Sequence, residues 1–588
     1  MKTKWMLRTT KTNLDKVGRI LGVSPLIVKI MINRGISTIE DMKKFLNPRL
    51  ENLHSPFLMK DMENGINIIK CAILNKEKIM IYGDYDADGV TSTVILYKAL
   101  TLCGAKVNYY IPNRETEGYG MSSERLEKIK KDGYNVVITC DNGISALEQV
   151  EKAKELGMTI VVTDHHELPF EEKEKGERVY TLPNADAVIN PKRLDCDYPF
   201  KNLCGAGIAF KFAQGIYNEM EIPKEKAYEL IDIAAIGTIC DVVDLIDENR
   251  IIAKEGLKIL ANTKNLGIAA LKEELNIKGE VSSYHIGFLI GPCINATGRL
   301  ETAFLSVDLL LADTEEKAKE LAKTLVELNK TRQDLTNEAV EEVKEIIENS
   351  NLKNDKILVI YNEKIHESIA GIVAGRIKDS YNRPTIVLTK GKEMPKGSAR
   401  SISEYNMFEE LIKCKSLLEK FGGHPMAAGL SIKKENIDDF RLKINELCTL
   451  KENDLIYKIR IDERLSLKNV NFKVIDELKA LEPFGKGNSS PILAEKNVSI
   501  EKISILGEHK NTLKLRCRIN GTNRCIDGIC FNKVEEFIED LKEAYGESYE
   551  YMLENPFGMK IDLIFSPSIN EYNGNVSVQL KVNNFKIQ

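Results

Sequence analysis

From residue 78 to about residue 164 the chain switches repeatedly between short β-branched runs and longer amphipathic segments, a pattern that few architectures accept. "KIMIYG" is followed by "VTSTVILYKALTLCG", "KVNYYIP" by "SSERLEKIKKDG", and "NVVITC" by "ISALEQVEKAKELG" before "TIVVTD". Short apolar runs alternating with helical segments of roughly 10 to 15 residues require βαβ units and a parallel sheet covered by helices on both faces. Ligands of such sheets gather at the carboxyl ends of the strands. The acidic groups fall at those ends: "GDYDADG" after the first run, "DNG" after the third and "DHH" after the fourth.

The rest of the chain is organised differently. A charged helical pattern without proline or glycine covers about 313–350 and reads as a connector, because "LKNDKILVIYN" then restarts a strand. A second α/β segment follows, through "ESIAGIVAGRIKDSY", "RPTIVLT", "GSARS" and "GGHPMAAGL". From about 453 strands separated by turn residues suggest a small OB-like β-barrel, a common platform for single strands. Tyr457, Phe531 and Tyr572 are candidate base stackers there, and equally candidate packing residues.

Composition narrows the function. No run of about 18 uncharged apolar residues is present, so no membrane span is expected. The start "MKTKWMLRTTKTNL" has no apolar core behind its basic residues, so a cytoplasmic protein is expected. The 12 cysteines form no CxxC pair and read as reduced, buried hydrophobes. With a net charge of -5, any phosphate-binding surface must be a local groove on an acidic body.

Asp84, Asp86 and Asp88 alternate between two glycines, so their charges crowd. Two unit charges about 4 Å apart repel by about 1 kcal/mol in water and by more in a cleft. A multivalent cation removes that conflict. Alone, this stretch also fits a solvated acidic loop or a calcium loop, but it has no Glu at the twelfth loop position and lies between a strand and a helix. Asp141 and the run Asp164, His165, His166 add groups at neighbouring strand ends, and Asp241 follows the apolar "IDIAAIGTIC". Asp244 and Asp247, just behind, read as capping or solvated residues. Oxygen ligands suit Mg²⁺ and Mn²⁺, and an added imidazole shifts the preference towards Mn²⁺. Such a set suffices for a two-metal centre of the kind that clamps a phosphoryl displacement.

In their order, "DYDADG", "DNG", "DHH" and "IGTICDVV" resemble the DHH phosphoesterase superfamily, and "GGHPMAAGL" resembles the glycine-rich motif of its DHH-associated second domain. With "IPNRETEGYG", "NATGRL", "GSARS" and a β-rich tail, the chain is similar to that superfamily's single-strand-specific 5′ to 3′ exonucleases. The resemblance implies an α/β fold with a parallel-sheet DHH domain (51–312), a connector helix (313–350), a second α/β DHH-associated domain (351–452) and a C-terminal OB-like barrel (453–588), behind an N-terminal helical segment (1–50).

It further implies two Mn²⁺ or Mg²⁺ ions on Asp86, Asp88, Asp141, His165 and Asp241, with Asp141 bridging, Asp84 as an additional ligand, and Asp164 and His166 supporting them. Many members carry a His where this chain has Tyr82, and Asp84 would then fill that role. Arg114, Arg299, Ser398 and Arg400 would bind phosphate, with Arg114, Ser398 and Arg400 holding a 5′ end, and Gly422, Gly423 and His424 would meet the scissile phosphate. Ala399 stands where a glycine is common. The implied activity is hydrolysis of single-stranded DNA from its 5′ end by metal-activated water, in repair and recombination, by a monomer working with a helicase and a single-strand-binding protein. The competing readings are a short-oligonucleotide or cyclic-dinucleotide phosphodiesterase, which would not need the β-rich tail, and a silent single-strand-binding scaffold.

Overall fold

In the first of two units, Arg49–Tyr457, five parallel strands lie in the order Lys106–Tyr110, Lys78–Tyr82, Val136–Thr139, Thr159–Thr163 and Ala187–Ile189. This computed structural model describes residues 3–172, 178–572 and 574–588. Alternate side chains enter two cores, as the pleat requires. Ile79 and Ile81 share one core with Val94, Phe210 and Ala234, while Met80 and Tyr82 share the other with Leu126, Ile129 and Val150. The order reverses direction between Lys78–Tyr82 and Val136–Thr139, and at such a switch point the flanking loops diverge and leave a crevice. The "GDYDADG" and "DNG" loops both leave from these two strands.

Helix Glu315–Glu348 runs for 34 residues, about 50 Å at 1.5 Å per residue. Ala318, Ala322 and Leu325 near its start belong to the core of the parallel sheet, whereas Val340, Val343 and Ile347 pack into the second lobe. The sheet of that lobe runs Lys420–His424, Ala427–Ser431, Lys396–Arg400, Thr385–Thr389 and Leu358–Tyr361, with only the last pair parallel. "GGHPMAAGL" forms the hairpin at its edge.

The second unit joins Thr3–Pro48 to Lys458–Gln588. Leu493–Leu506 pairs with both Thr512–Arg518 and Lys560–Tyr572, and Cys525–Phe531 pairs parallel with Asn575–Ile587, so five strands close into an OB-type barrel. Tyr457 and Phe531 are exposed, and the side chain of Tyr572 lies outside the described residues. After a strand at Thr3–Leu7, the N-terminal segment forms helices Leu14–Leu21, Pro25–Asn33 and Ile39–Leu46, which share a core with the barrel. Ile27, Ile30 and Met31 of Pro25–Asn33 and Phe45 of Ile39–Leu46 pack with Leu515, Phe537 and Phe565. Arg34 meets Asp462 through two bonds of 2.7 and 2.9 Å, with both side chains buried. No helix among the described residues is long and apolar enough to cross a membrane.

Breaking a buried ion pair strands a charge and costs about 3 to 5 kcal/mol, whereas an exposed pair is worth under about 1. Arg34→Ala is therefore expected to destabilise the barrel unit strongly. Lys44→Ala, which removes the exposed pair with Glu40, should do little. Hydrogen exchange of the barrel strands in the full chain reads both.

Candidate metal centre

Strand Lys78–Tyr82 ends at Gly83, and the chain then turns through Asp84 and Tyr85 into helix Ala87–Leu102. Asp86 is the N-cap: its Oδ1 accepts from the backbone N–H groups of Asp88 (2.9 Å) and Gly89 (3.0 Å). Asn295 Oδ1 accepts from the Ala87 amide at 2.9 Å and pins the same turn. The Asp88 carboxylate is buried against the start of helix Gly205–Glu219, where it accepts from the amides of Gly205 (2.6 Å) and Ala206 (2.8 Å). Short bonds at a helix N-terminus favour the anion.

Asp141 leaves its strand at a φ of +61°, a left-handed conformation that costs an aspartate about 1 to 2 kcal/mol. Asn142 locks this turn by donating to the carbonyls of Tyr82 (3.0 Å) and Cys140 (2.9 Å). Helix Gly205–Glu219 passes so near that a Cβ on Gly205 would lie 2.7 Å from that of Asp141. Asp241 caps the end of helix Ile231–Cys240, and the next residue, Val242, is also left-handed, at +56°. Strain at both positions marks a geometry that the surroundings enforce.

These turns converge on one imidazole. His165 Nε2 lies 3.0 Å from Asp141 Oδ1, 3.6 Å from Asp88 Oδ2 and 3.7 Å from Asp241 Oδ2. Asp84, Asp86 and Asp141 form an adjoining group whose oxygens lie within 4.8 Å of one another, so Asp141 is common to both. His165 Nε2, Asp141 Oδ1 and Asp84 Oδ1 are buried and have no hydrogen-bond partner among the described residues. Each such atom costs about 1 to 3 kcal/mol unless something pairs with it. Ligands held about 2.0 to 2.2 Å from a hard cation sit about 3 Å or more apart. The donor set therefore fits divalent cations.

The electrostatics agree. Burial, and then the charge of neighbouring aspartates, pushes the Asp84, Asp141 and Asp241 carboxyls well above their ordinary range. Asp88 is pushed up to about 6 by burial and by Asp86, against the pull of its helix amides. Burial, followed by the neighbouring His166, takes His165 down to about 3, so the ring is neutral, as a metal ligand must be.

Asp164 orients the histidines of this cluster. Its Oδ2 accepts from the Ile144 amide (2.8 Å), and its Oδ1 from the amides of His165 (2.7 Å) and His166 (3.1 Å) and from His166 Nδ1 (2.7 Å). Burial opposes both charges of that pair, yet their attraction prevails, holding Asp164 near 2 and His166 near 9. Tyr119 donates to the Asp141 carbonyl at 3.0 Å, and its hydroxyl meets His166 Nδ1 at 3.2 Å. Tyr82 is fully buried, with its hydroxyl on the Gly120 carbonyl (3.4 Å), so it takes no part, and Asp84 stands in the cluster. Asp247 pairs with His54 at 3.3 Å instead, and the Asp244 carbonyl accepts from Asn249 Nδ2 at 3.1 Å.

Three arginines form the cationic counterpart. Arg299 Nη1 donates to the Ser368 carbonyl at 2.7 Å, and burial, then Arg114, lowers its pKa to about 10. Arg400 is lowered by burial and then by Arg114, whose guanidinium lies over the Tyr85 ring, 5.2 Å from its centroid. None of the three pairs with a carboxylate among the described residues. Ser398 shares the face of Arg400, and a Cβ on Gly371 would lie 2.9 Å from Arg400 Nη2 and 3.5 Å from Ser398 Oγ. His424, Ala427 and Arg400 stand in one row across three strands, which places His424 about 10 Å from Arg400. Gly422, Gly423 and His424 are exposed at the sheet edge and join no ligand group. Sequence reasoning missed Gly205 and Ala206, Asn295, Tyr119 and Gly371; their signals were the glycines of "CGAG" and "IAGI" and the polar residues inside "NATGRL" and "EGYG".

Family models described as the DHH family N-terminal domain, the DHHA1 domain and the RecJ OB domain match residues 78–238, 354–450 and 461–584. The single-stranded-DNA-specific exonuclease RecJ of Bacillus subtilis is 37% identical over 592 residues, covering 99% of this chain and 70% of the relative. The chain belongs to the RecJ family. The Escherichia coli RecJ is 32% identical over 582 residues, covering 95% of both chains. The crystal structure of Thermus thermophilus RecJ in complex with Mn²⁺ superposes with a TM-score of 0.81 at 26% identity, covering 100% of this RecJ-family chain and 80% of that one.

Protons compete with cations for carboxylates whose pKa is raised. Mn²⁺ affinity is thus expected to fall as the pH drops through about 6, where Asp88 takes up its proton, and binding near and below that pH should release the proton from Asp88. Calorimetry in two buffers of different ionisation enthalpy measures this; an affinity flat between pH 5.5 and 7.5 would contradict it. Gly205→Val, which drives a side chain into Asp141, should weaken Mn²⁺ binding in the same assay.

Proposed function

We propose that this chain is a divalent-cation-dependent exonuclease that degrades single-stranded DNA from its 5′ end by phosphodiester hydrolysis, in DNA repair and recombination. The observation that carries this reading is the neutral, unpartnered His165 nitrogen facing Asp88, Asp141 and Asp241, with Asp141 shared by a second carboxylate group. Membership of the RecJ family and the single-stranded-DNA-specific activity of its named relatives supply the substrate.

Asp88, His165 and Asp241 would hold one ion, Asp84 and Asp86 the other, and Asp141 both. The ions, when bound, supply Lewis acidity that activates water and offsets charge at the phosphodiester. The chain's own groups do the rest. Asp164 fixes both histidines. His166, whose side chain is partly exposed, would meet a phosphate oxygen. Arg114, Ser398 and Arg400 would form a cationic pocket for a terminal 5′ phosphate, and Arg299 would add a further phosphate contact, since guanidinium forks match phosphate oxygens. The hairpin carrying Gly422, Gly423 and His424 offers exposed backbone beside them. The barrel adds a surface for the trailing strand.

All the ligands come from one chain, which suits a monomer. The work belongs in the cytoplasm, where a helicase and a single-strand-binding protein would present single strands.

Asp141→Ala is expected to abolish hydrolysis in Mn²⁺ while strand binding persists, and Asp164→Asn to lower activity about 10- to 100-fold, as losses of ligand-orienting partners do. Undiminished cleavage by Asp141→Ala would refute the assignment. Arg400→Ala should impair 5′-phosphorylated substrates most; equal loss on 5′-hydroxyl ends would remove the end-binding role.

A further inference from the structure

Tyr284 and Phe288 are 59% and 66% exposed, and their rings are stacked, 5.1 Å between centroids at 25°. A single exposed aromatic residue needs no explanation, but a stacked pair in water is a patch of the kind that marks a binding surface. The pair opens a continuous helical rod, built from Ser283–His285, a π-turn at Ile286–Ile290, and Gly291–Leu300. Turns of the π type recur at functional sites. Here Phe288 points to solvent between buried Ile286 and Ile290.

The rod leads to the centre just described. Beyond Phe288, Pro292, Asn295 and Arg299 are half-buried, at steps of four, three and four, as are Leu289 and Leu300, while Cys293, Ile294, Ala296, Thr297 and Gly298 are buried. That spacing is one helix face. Asn295 holds the Ala87 amide beside Asp86, and Arg299 reaches Ser368 in the second lobe. At the aromatic end, the rod packs on helix Ile231–Cys240. Cys240 Sγ meets the Ile286 carbonyl at 4.0 Å, and a Cβ on Gly291 would lie 2.3 Å from that sulfur. Asp241 caps this helix, and the next residue, Val242, is 60% exposed. One helix face therefore runs from Arg299, past the turn of Asp86, to an aromatic pair beyond Asp241. Phe288 and Arg299 are 11 positions apart, about 16 Å along the axis.

Resting on the nuclease reading above, we propose that Tyr284 and Phe288 are a stacking platform for bases of the substrate strand, a few nucleotides to the 3′ side of its bound 5′ end. Flat rings read the π-face that every base carries, so the contact tolerates any sequence, as an exonuclease requires. Bases inside a duplex have no free face to offer, so the platform also favours a single strand.

The test compares kcat/KM in Mn²⁺ on 5′-phosphorylated strands of three and of twenty nucleotides. Tyr284→Ala with Phe288→Ala should lower the value on the longer strand roughly tenfold, as loss of a base-stacking contact does, and by less on the trinucleotide. Phe288→Trp should retain the wild-type value and Phe288→Leu should not, a comparison that needs no large truncation. With 2-aminopurine placed at successive positions from the 5′ end, fluorescence should be quenched at one or two internal positions in the wild type and restored in the double variant. Equal losses on both lengths, or Leu performing as well as Trp, would overturn the platform while leaving the nuclease reading intact. A wild-type protein that cuts neither strand would remove the nuclease reading, and the platform with it.

Discussion

Mutual repulsion among buried carboxylates is the constraint around which this molecule is arranged. Asp84, Asp88 and Asp141 are nearly inaccessible, Asp241 is close by, and each raises the cost of ionising the others. Packing alone does not justify such a cluster, since apolar residues of the same volume would be more stable there. The fold nevertheless holds it in place with left-handed backbone at Asp141 and Val242 and with glycines where a Cβ would collide. Strain and repulsion of this kind persist where a ligand relieves them, and divalent cations match both the charge and the spacing of the donors.

The sheet makes the arrangement possible. A parallel strand order that reverses between Lys78–Tyr82 and Val136–Thr139 sends two acidic loops into one crevice, and the neighbouring strand Thr159–Thr163 delivers the histidines beside them. Helix termini complete it: the start of Gly205–Glu219 holds Asp88, and the end of Ile231–Cys240 presents Asp241. Charge is thereby segregated. Carboxylates crowd the strand and helix ends, while Arg114, Arg299 and Arg400 pair with no carboxylate among the described residues, an arrangement suited to a polyanion that must approach a negative site only where cations or arginines receive it. That explains how a chain of net charge -5 can belong to a family of nucleases.

Much of this was legible in the sequence, because period and composition report local structure. β-branched runs gave the buried strands, the breaker-free charged stretch gave helix Glu315–Glu348, and acidic motifs at strand ends gave the cluster, including Asp84 in place of a residue at Tyr82. What stayed hidden is what carries no side-chain signature. The Gly205 and Ala206 amides that hold Asp88 are backbone groups, and Asn295 acts across more than two hundred residues of chain. An amphipathic helix displays a face but not its partner, so the union of the N-terminal helices with the barrel could not be read. "GGHPMAAGL" likewise named Gly422, Gly423 and His424 but not the edge hairpin that carries them.

Anomalous diffraction at the manganese edge, from crystals grown with Mn²⁺, tests the central claim most directly. The account requires two peaks that both touch the Asp141 carboxylate, one on the side of His165 and Asp241 and one on the side of Asp84 and Asp86. A single peak, or peaks remote from His165 Nε2, would contradict it.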